Sequence, residues 1–298
     1  MRTDLNSGAE LVLIRSRMAD YITLIKPELT LLSVLTALAG YYLASSDEVN
    51  LLMMLWTFIG TLLVGGGSGA LNQYLERDFD ALMKRTEHRP LPAGRLIPSE
   101  VLVFGTILSL VGVAVLFLLV NALTGFLGAV TSISYLFLYT PMKRITPFST
   151  VIGAIPGALP PMMGWTAVRN EITLEAWILF GILFLWQMPH FLSLAWMYRK
   201  DYAKAGYPML SVVDETGSLV SRRIVLYCAA LIPVTIAASL VSLGGSVSAI
   251  GGTLLNIGFL LCGLQFLYTK NILWARRVFF VSLAYLPILF ALMGLDKL

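Results

Sequence analysis

Apolar residues run along this chain in long unbroken stretches divided by short polar segments. Val101 to Val120 contains no charged residue at all. A hydrocarbon core about 30 Å thick is crossed by roughly 20 apolar residues in a helix, and the pattern predicts nine such spans: 28–45, 50–71, 97–120, 121–140, 147–168, 174–196, 223–243, 247–268 and 277–294. The alternating ten-residue pattern of a membrane β-barrel is absent. The expected fold class is therefore all-α, a polytopic membrane bundle of about nine transmembrane helices. Pro156, Pro160 and Pro161 fall within the fifth span and Pro189 within the sixth. Each removes a helical hydrogen bond and needs shielding from lipid by neighbouring helices, so kinks and a central cavity are expected there.

Composition agrees with a lipid environment. With 57% hydrophobic and 13% charged residues, 298 residues offer too little polar surface for a water-soluble fold. No linker or low-complexity segment divides the chain, which predicts one domain over 1–298. Residues 1–25 lack a signal-peptide core and read as a cytoplasmic tail. Cys228 and Cys262, one in each of two predicted helices, suggest packing and offer neither a disulfide framework nor a metal motif.

Charge orients the bundle. All but two of the 21 Lys and Arg fall on alternate inter-helix segments, which places the N-terminus and loops 71–96, 141–146, 197–222 and 269–276 in the cytoplasm and the C-terminus outside. The net charge of +4 thus reflects topology, and no nucleic-acid partner is expected. The two long loops also hold half of the acidic side chains outside the tail, so chemistry is expected on that face, in a bacterial inner membrane.

The densest polar run is Asn72-Gln-Tyr-Leu-Glu76-Arg77-Asp78-Phe-Asp80, followed by Lys84, Arg85, His88, Arg89 and Arg95. In a helix, steps of four put Asn72, Glu76 and Asp80 on one face, where their oxygens converge as ligands for a hard cation, with Asp78 turned elsewhere. Carboxylates beside arginines and lysines at the mouth of an apolar bundle suit a substrate with an oily tail and a diphosphate head. Mg²⁺ bridges such carboxylates to phosphate, and Arg77, Lys84, Arg85, Arg89 and Arg95 are candidates for the remaining phosphate oxygens. The competing reading is a wetted loop whose charges only orient the protein. Of the two histidines, His190 lies about 9 Å inside the sixth helix, where a lone histidine commonly hydrogen-bonds a neighbouring helix.

The same run resembles the signature loop of the intramembrane aromatic prenyltransferases, and the trailing Arg85-Thr-x-x-Arg89-Pro-Leu is similar to the branch that prenylates haem. Tyr139-Thr-Pro-Met-Lys143-Arg144, Ile152 to Trp165, Trp186-Gln187-Met-Pro189-His190-Phe191 and Asp201-Tyr-x-x-Ala205-Gly206-x-Pro208 match in order, over about Lys26 to Leu295. The resemblance implies a nine-helix bundle with a central cavity and two acidic motifs that bind magnesium diphosphate. Asn72, Glu76 and Asp80 match the first motif, with Glu76 where aspartate is common. Asp201 matches the second, whose other aspartate is replaced by Ala205.

By the same resemblance Tyr139, Lys143 and Arg144 contact diphosphate, and Gln187 and His190 contact haem as iron ligand or propionate partner. The implied activity is transfer of the farnesyl group of farnesyl diphosphate to a vinyl group of protoheme IX, giving haem O and diphosphate. Mg²⁺ is the implied cofactor, haem a substrate, and haem A synthase a partner. Two rivals remain: a sister enzyme that prenylates a quinone or other aromatic precursor, and a transporter or haem-handling assembly factor that forms no bond.

Overall fold

A computed structural model describes residues 17–46 and 48–297. Among them nine helices are long and apolar enough to cross a membrane: α1 (Pro27–Ala44), α2 (Leu51–Asp80), α3 (Pro98–Val120), α4 (Ala122–Met142), α5 (Ser149–Arg169), α6 (Leu174–Met197), α7 (Ser218–Leu240), α8 (Ser246–Thr269) and α9 (Ile272–Leu295). Most of the predicted tail, 1–16, lies outside the described residues, but 17–24 are helical.

Helices adjacent in sequence are mostly adjacent in space, as short connections require. α1 leaves that order to pack along α5, and α6 contacts α5, α7 and α9. The interior sits on α5 and α6, where 67% of each apolar window is buried, against 22% for α3. Leu102, Ile107, Leu110, Phe117 and Leu118 of α3 point outward. In a membrane protein such residues face acyl chains.

The α1–α5 contact explains how the proline-rich helix is accommodated. A Cβ on Gly40 would collide with the Pro161 carbonyl oxygen, and one on Gly164 with the Ala37 carbonyl oxygen. Small residues therefore let the two backbones approach, the usual way for membrane helices to associate. Pro156, Pro160, Pro161 and Pro189 are all buried within their helices and shielded as expected. Near the same end of α5, Asn121 caps α4 by accepting from Thr124 N at 2.8 Å and donates to the Thr166 carbonyl at 2.8 Å.

Three boundaries differ from the sequence expectation. α2 does not stop at residue 71 but continues to Asp80, so the polar run belongs to the helix itself. α7 and α9 each begin five residues early, which takes Arg222, Arg223, Arg276 and Arg277 into helical turns. In each case hydropathy ends before hydrogen bonding does. α3 and α4 also loosen into π-helical turns at Leu116–Val120 and Ser134–Tyr139, the second just before Lys143.

Candidate functional site

Helical continuation of α2 puts Asn72, Glu76 and Asp80 on one face, as their spacing predicts. That face is covered. The three residues are only 2%, 3% and 1% exposed, which corrects the expectation of a wetted mouth. Asp78 and Arg77 turn away: Asp78 is exposed, and the Arg77 guanidinium donates to the Tyr74 carbonyl of its own helix.

Each of the three buried side chains meets a cation from a different part of the chain. Lys143, just after α4, donates from Nζ to both Glu76 carboxylate oxygens at 3.1 and 3.2 Å. Arg89, in the segment after α2, donates to Asp80 Oδ2 at 2.6 Å. Lys26, ahead of α1, donates to Asn72 Oδ1 at 2.7 Å. The Asn72 amide nitrogen donates to Thr140 Oγ1 at 3.1 Å, and that hydroxyl donates to the Tyr135 carbonyl at 2.9 Å. Loosening of α4 before Thr140 thus sets both the amide orientation and the approach of Lys143.

Burial alone would discourage a charge on Lys143, but Glu76 and then Tyr139, Tyr202 and Tyr207 outweigh it and raise its pKa well above the ordinary lysine value. Its ammonium also lies over the Tyr207 ring at 4.6 Å and the Tyr202 ring at 5.8 Å. Tyr207 is 1% exposed, and its buried hydroxyl has no hydrogen-bond partner among the described residues. Lys26 differs. Burial and the neighbouring Arg89 pull its pKa down to about 7, with Glu76 and Asp80 opposing.

Two carboxylates and an amide oxygen are the donor types that a hard divalent cation takes. Asp80 Oδ1 is buried without a hydrogen-bond partner among the described residues, a free lone pair in the place a metal would use. The donor chemistry therefore fits Mg²⁺. No group of three or more His, Cys, Asp and Glu converges among the described residues.

Other expected site residues, Tyr139 apart, are not drawn into this cluster. Asp201 lies on the short helix Arg199–Lys204 and lines a cleft with Trp196, Tyr198, Lys200, Lys270 and Ile272. None of the three oxygen-bearing side chains of α2 lines that cleft. Lys84 is exposed. Arg85 packs over the Tyr198 ring at 5.5 Å, and exposed Arg144 lies over Phe79 at 4.3 Å while donating to the Leu75 carbonyl at 2.5 Å. Arg95 pairs with Asp20 at 2.9 Å, and His88 is exposed beside Glu87. Tyr139 stacks on Tyr135, half-buried next to Lys143.

His190 and Gln187 sit on α6, and each spans to another helix. His190 Nδ1 shares a hydrogen bond with Ser282 Oγ of α9 at 2.8 Å, and its ring stacks between Trp186 and Phe279. That interhelical bond leaves Nε2 as the nitrogen available to a ligand. Gln187 donates to the Ala154 carbonyl of α5 at 2.7 Å, and Gly157 makes room for its amide oxygen.

Sequence reasoning missed Lys26, which it counted among orienting charges, and Gln73, which looks like a spacer within the motif. Gln73 is 1% exposed and donates to the Thr23 and Leu24 carbonyls, docking the turn that carries Lys26. The usable signal was the run Gly65-Gly-Gly-Ser-Gly69, since close backbone approach requires such small residues.

A model described as "UbiA prenyltransferase family" matches residues 33–286. A protein of Solibacter usitatus named protoheme IX farnesyltransferase is 46% identical over 289 residues, covering 94% of this chain and 99% of that one. One of the same name from Aquifex aeolicus is 36% identical, covering 93% and 94%. Among solved structures, that titled for digeranylgeranylglyceryl phosphate synthase superposes with TM-score 0.79 at 17% identity, covering 95% of this chain and 99% of that one. A UbiA homologue from Archaeoglobus fulgidus bound to DMAPP and Mg²⁺ gives TM-score 0.67 at 15% identity, covering 92% and 99%. At such identity these two show a shared fold.

Proposed function

The chain belongs to the UbiA prenyltransferase family, and on that premise we propose that it transfers the farnesyl group of farnesyl diphosphate to a vinyl group of protoheme IX, giving haem O and diphosphate. One observation carries the diphosphate half. Two carboxylates and an amide on one face of α2 are matched by three cations from three other segments, a set that holds a metal on one side and phosphate oxygens on the other. The shared name of the Solibacter and Aquifex relatives supports haem as the acceptor.

In this reading Glu76 and Asp80, with Asn72, hold Mg²⁺, and Asp201 contributes from the second motif. When bound, that ion neutralises charge developing on the departing diphosphate. Lys143 and Arg89 bind its oxygens, with Arg144, Arg85 and Lys84 around the rim and Tyr139 beside Lys143. The C–O bond of the allylic diphosphate breaks, a C–C bond forms to the outer vinyl carbon, and water adds to the inner carbon as a proton leaves. His190, through Nε2, and Gln187 hold the haem, while the farnesyl chain lies along apolar helix faces.

The whole of 1–298 acts as one domain in a bacterial inner membrane, with the N-terminus cytoplasmic and the C-terminus outside, and its product passes to haem A synthase. The test is direct. Purified protein with haem, farnesyl diphosphate and Mg²⁺ should yield a haem whose mass has risen by one farnesyl group plus hydroxyl. A strict Mg²⁺ requirement would be seen as loss of that product with chelator, and a haem left unchanged would overturn the reading.

A further inference from the structure

We propose that Lys26 is a diphosphate-binding residue, delivered from the turn before α1 to the cluster on α2. The inference rests on the reading of the site as one for a prenyl diphosphate, and it adds a ligand from a segment outside both acidic motifs. Three observations converge on it.

The first is a charge count. Among the described residues Lys26, Lys143 and Arg89 face Glu76 and Asp80, so with Lys26 protonated the cluster holds one more cation than anions, and Lys26 is the one bonded only to a neutral amide. Arg89, Glu76, Asp80 and Lys143 are all within Coulombic reach of its ammonium. A magnesium-bound diphosphate monoester carries about one net negative charge, which closes that balance. An excess buried cation is otherwise unfavourable, and an anionic ligand is what relieves it.

The second is backbone strain. Lys26 adopts φ 48° and ψ 64°, the left-handed region, although it is neither glycine nor asparagine and precedes Pro27, which disfavours helical conformations before it. Such residues persist only where the surroundings hold them. The third is that the surroundings do so. Gln73 ties down the Thr23 and Leu24 carbonyls, while a Cβ at Gly66 would stand 3.2 Å from Ile25 Cβ and one at Gly69 3.3 Å from the Leu24 carbonyl oxygen. α2 thus gives up side chains so that this one turn lies against it.

On substrate entry the partners exchange. Nζ of Lys26 moves from Asn72 Oδ1 to a phosphate oxygen, and the amide oxygen it leaves becomes available to the metal.

The experiment uses the full chain in detergent and measures binding of inorganic pyrophosphate with Mg²⁺ by calorimetry, alongside farnesyl transfer to haem. Lys26→Gln conserves a donor to Asn72 but has no charge, whereas Lys26→Arg conserves charge. Lys26→Gln and Lys26→Ala should weaken pyrophosphate binding about ten-fold or more and raise KM for farnesyl diphosphate but not for haem. Lys26→Arg should stay within about three-fold of the parent. Thermal unfolding without ligand establishes that each variant is folded, and Gln carries the test if Ala is not.

Parent-like binding by Lys26→Gln overturns the proposal, since Lys26 would then serve only to orient Asn72. Parent-like binding by all three variants also overturns it. Failure of the broader reading looks different: the parent protein would bind pyrophosphate with the expected Lys26 dependence yet leave haem unmodified.

Discussion

Lys143 Nζ lies within hydrogen-bond distance of both carboxylate oxygens of Glu76, 67 positions earlier in the chain, and each side chain is less than a tenth exposed. Removing one partner leaves the other charge buried and uncompensated. Glu76→Gln should therefore destabilise the protein by about 3–5 kcal/mol, measured as unfolding in detergent. Adding Lys143→Met to that variant should restore much of the loss, because an apolar pair of similar volume is tolerated where a lone ion is not. Additive losses in the double variant would show that the two residues are not coupled.

Among the described residues Asp80 offers one paired and one unpaired oxygen, which separates its contributions. Asp80→Asn keeps an acceptor for Arg89 but removes the charge needed by a metal, so turnover should fall by about 10²-fold or more. Unfolding temperature should change little, because Arg89 is partly solvated. Turnover equal to the parent at saturating Mg²⁺ would remove Asp80 from the metal site.

The two nitrogens of His190 make different demands. His190→Gln can keep the bond to Ser282 but is a poor iron ligand, so it should retain stability while losing the shifted haem absorption band in a titration. His190→Ala should lose both, with about 1–3 kcal/mol of stability. An unaltered band in the Gln variant would leave His190 as an α6–α9 tie alone.

Asp214 supplies a pH dependence away from the site. Its Oδ2 accepts from Leu219 N at 2.7 Å and Val220 N at 2.9 Å at the start of α7. Burial pushes its carboxyl pKa up, but hydrogen bonds from Val220, Thr216 and Leu219 outweigh that and hold it below the usual 3.8. A depressed folded-state value means a contribution that is complete above the unfolded value and lost as pH falls through the lower one. Between about pH 6 and about pH 3, the parent should lose stability more steeply than Asp214→Asn, as read by thermal unfolding.

The nine spans and the one-face motif could be read from local pattern, because a bilayer imposes length and a helix imposes spacing. What escaped were relationships between distant positions. Lys26 meets Asn72 across 46 residues and His190 meets Ser282 across 92, and a count of charges by side cannot tell an inward lysine from an outward one. The polar end of α2 was read as a loop with helical spacing and not as interior helix, since hydropathy reports the residue and not the neighbours that cover it. Asp201 was singled out by resemblance to a motif, yet only the fold could show that its cleft is bordered by none of Asn72, Glu76 and Asp80.

At 1.5 Å per residue, α2 is about 45 Å long, well beyond a hydrocarbon core of about 30 Å. Its apolar part ends near Leu71, and from Asn72 the polar run extends about 12 Å further along the axis to Asp80. Because Asn72, Glu76 and Asp80 ride on one helix, acyl-chain length bears on how deep they sit. Lipids with longer tails would draw Asn72 and Glu76 below the headgroups, and shorter ones would lift them toward water. A thicker or thinner bilayer therefore changes the depth of that polar face without altering a single side chain.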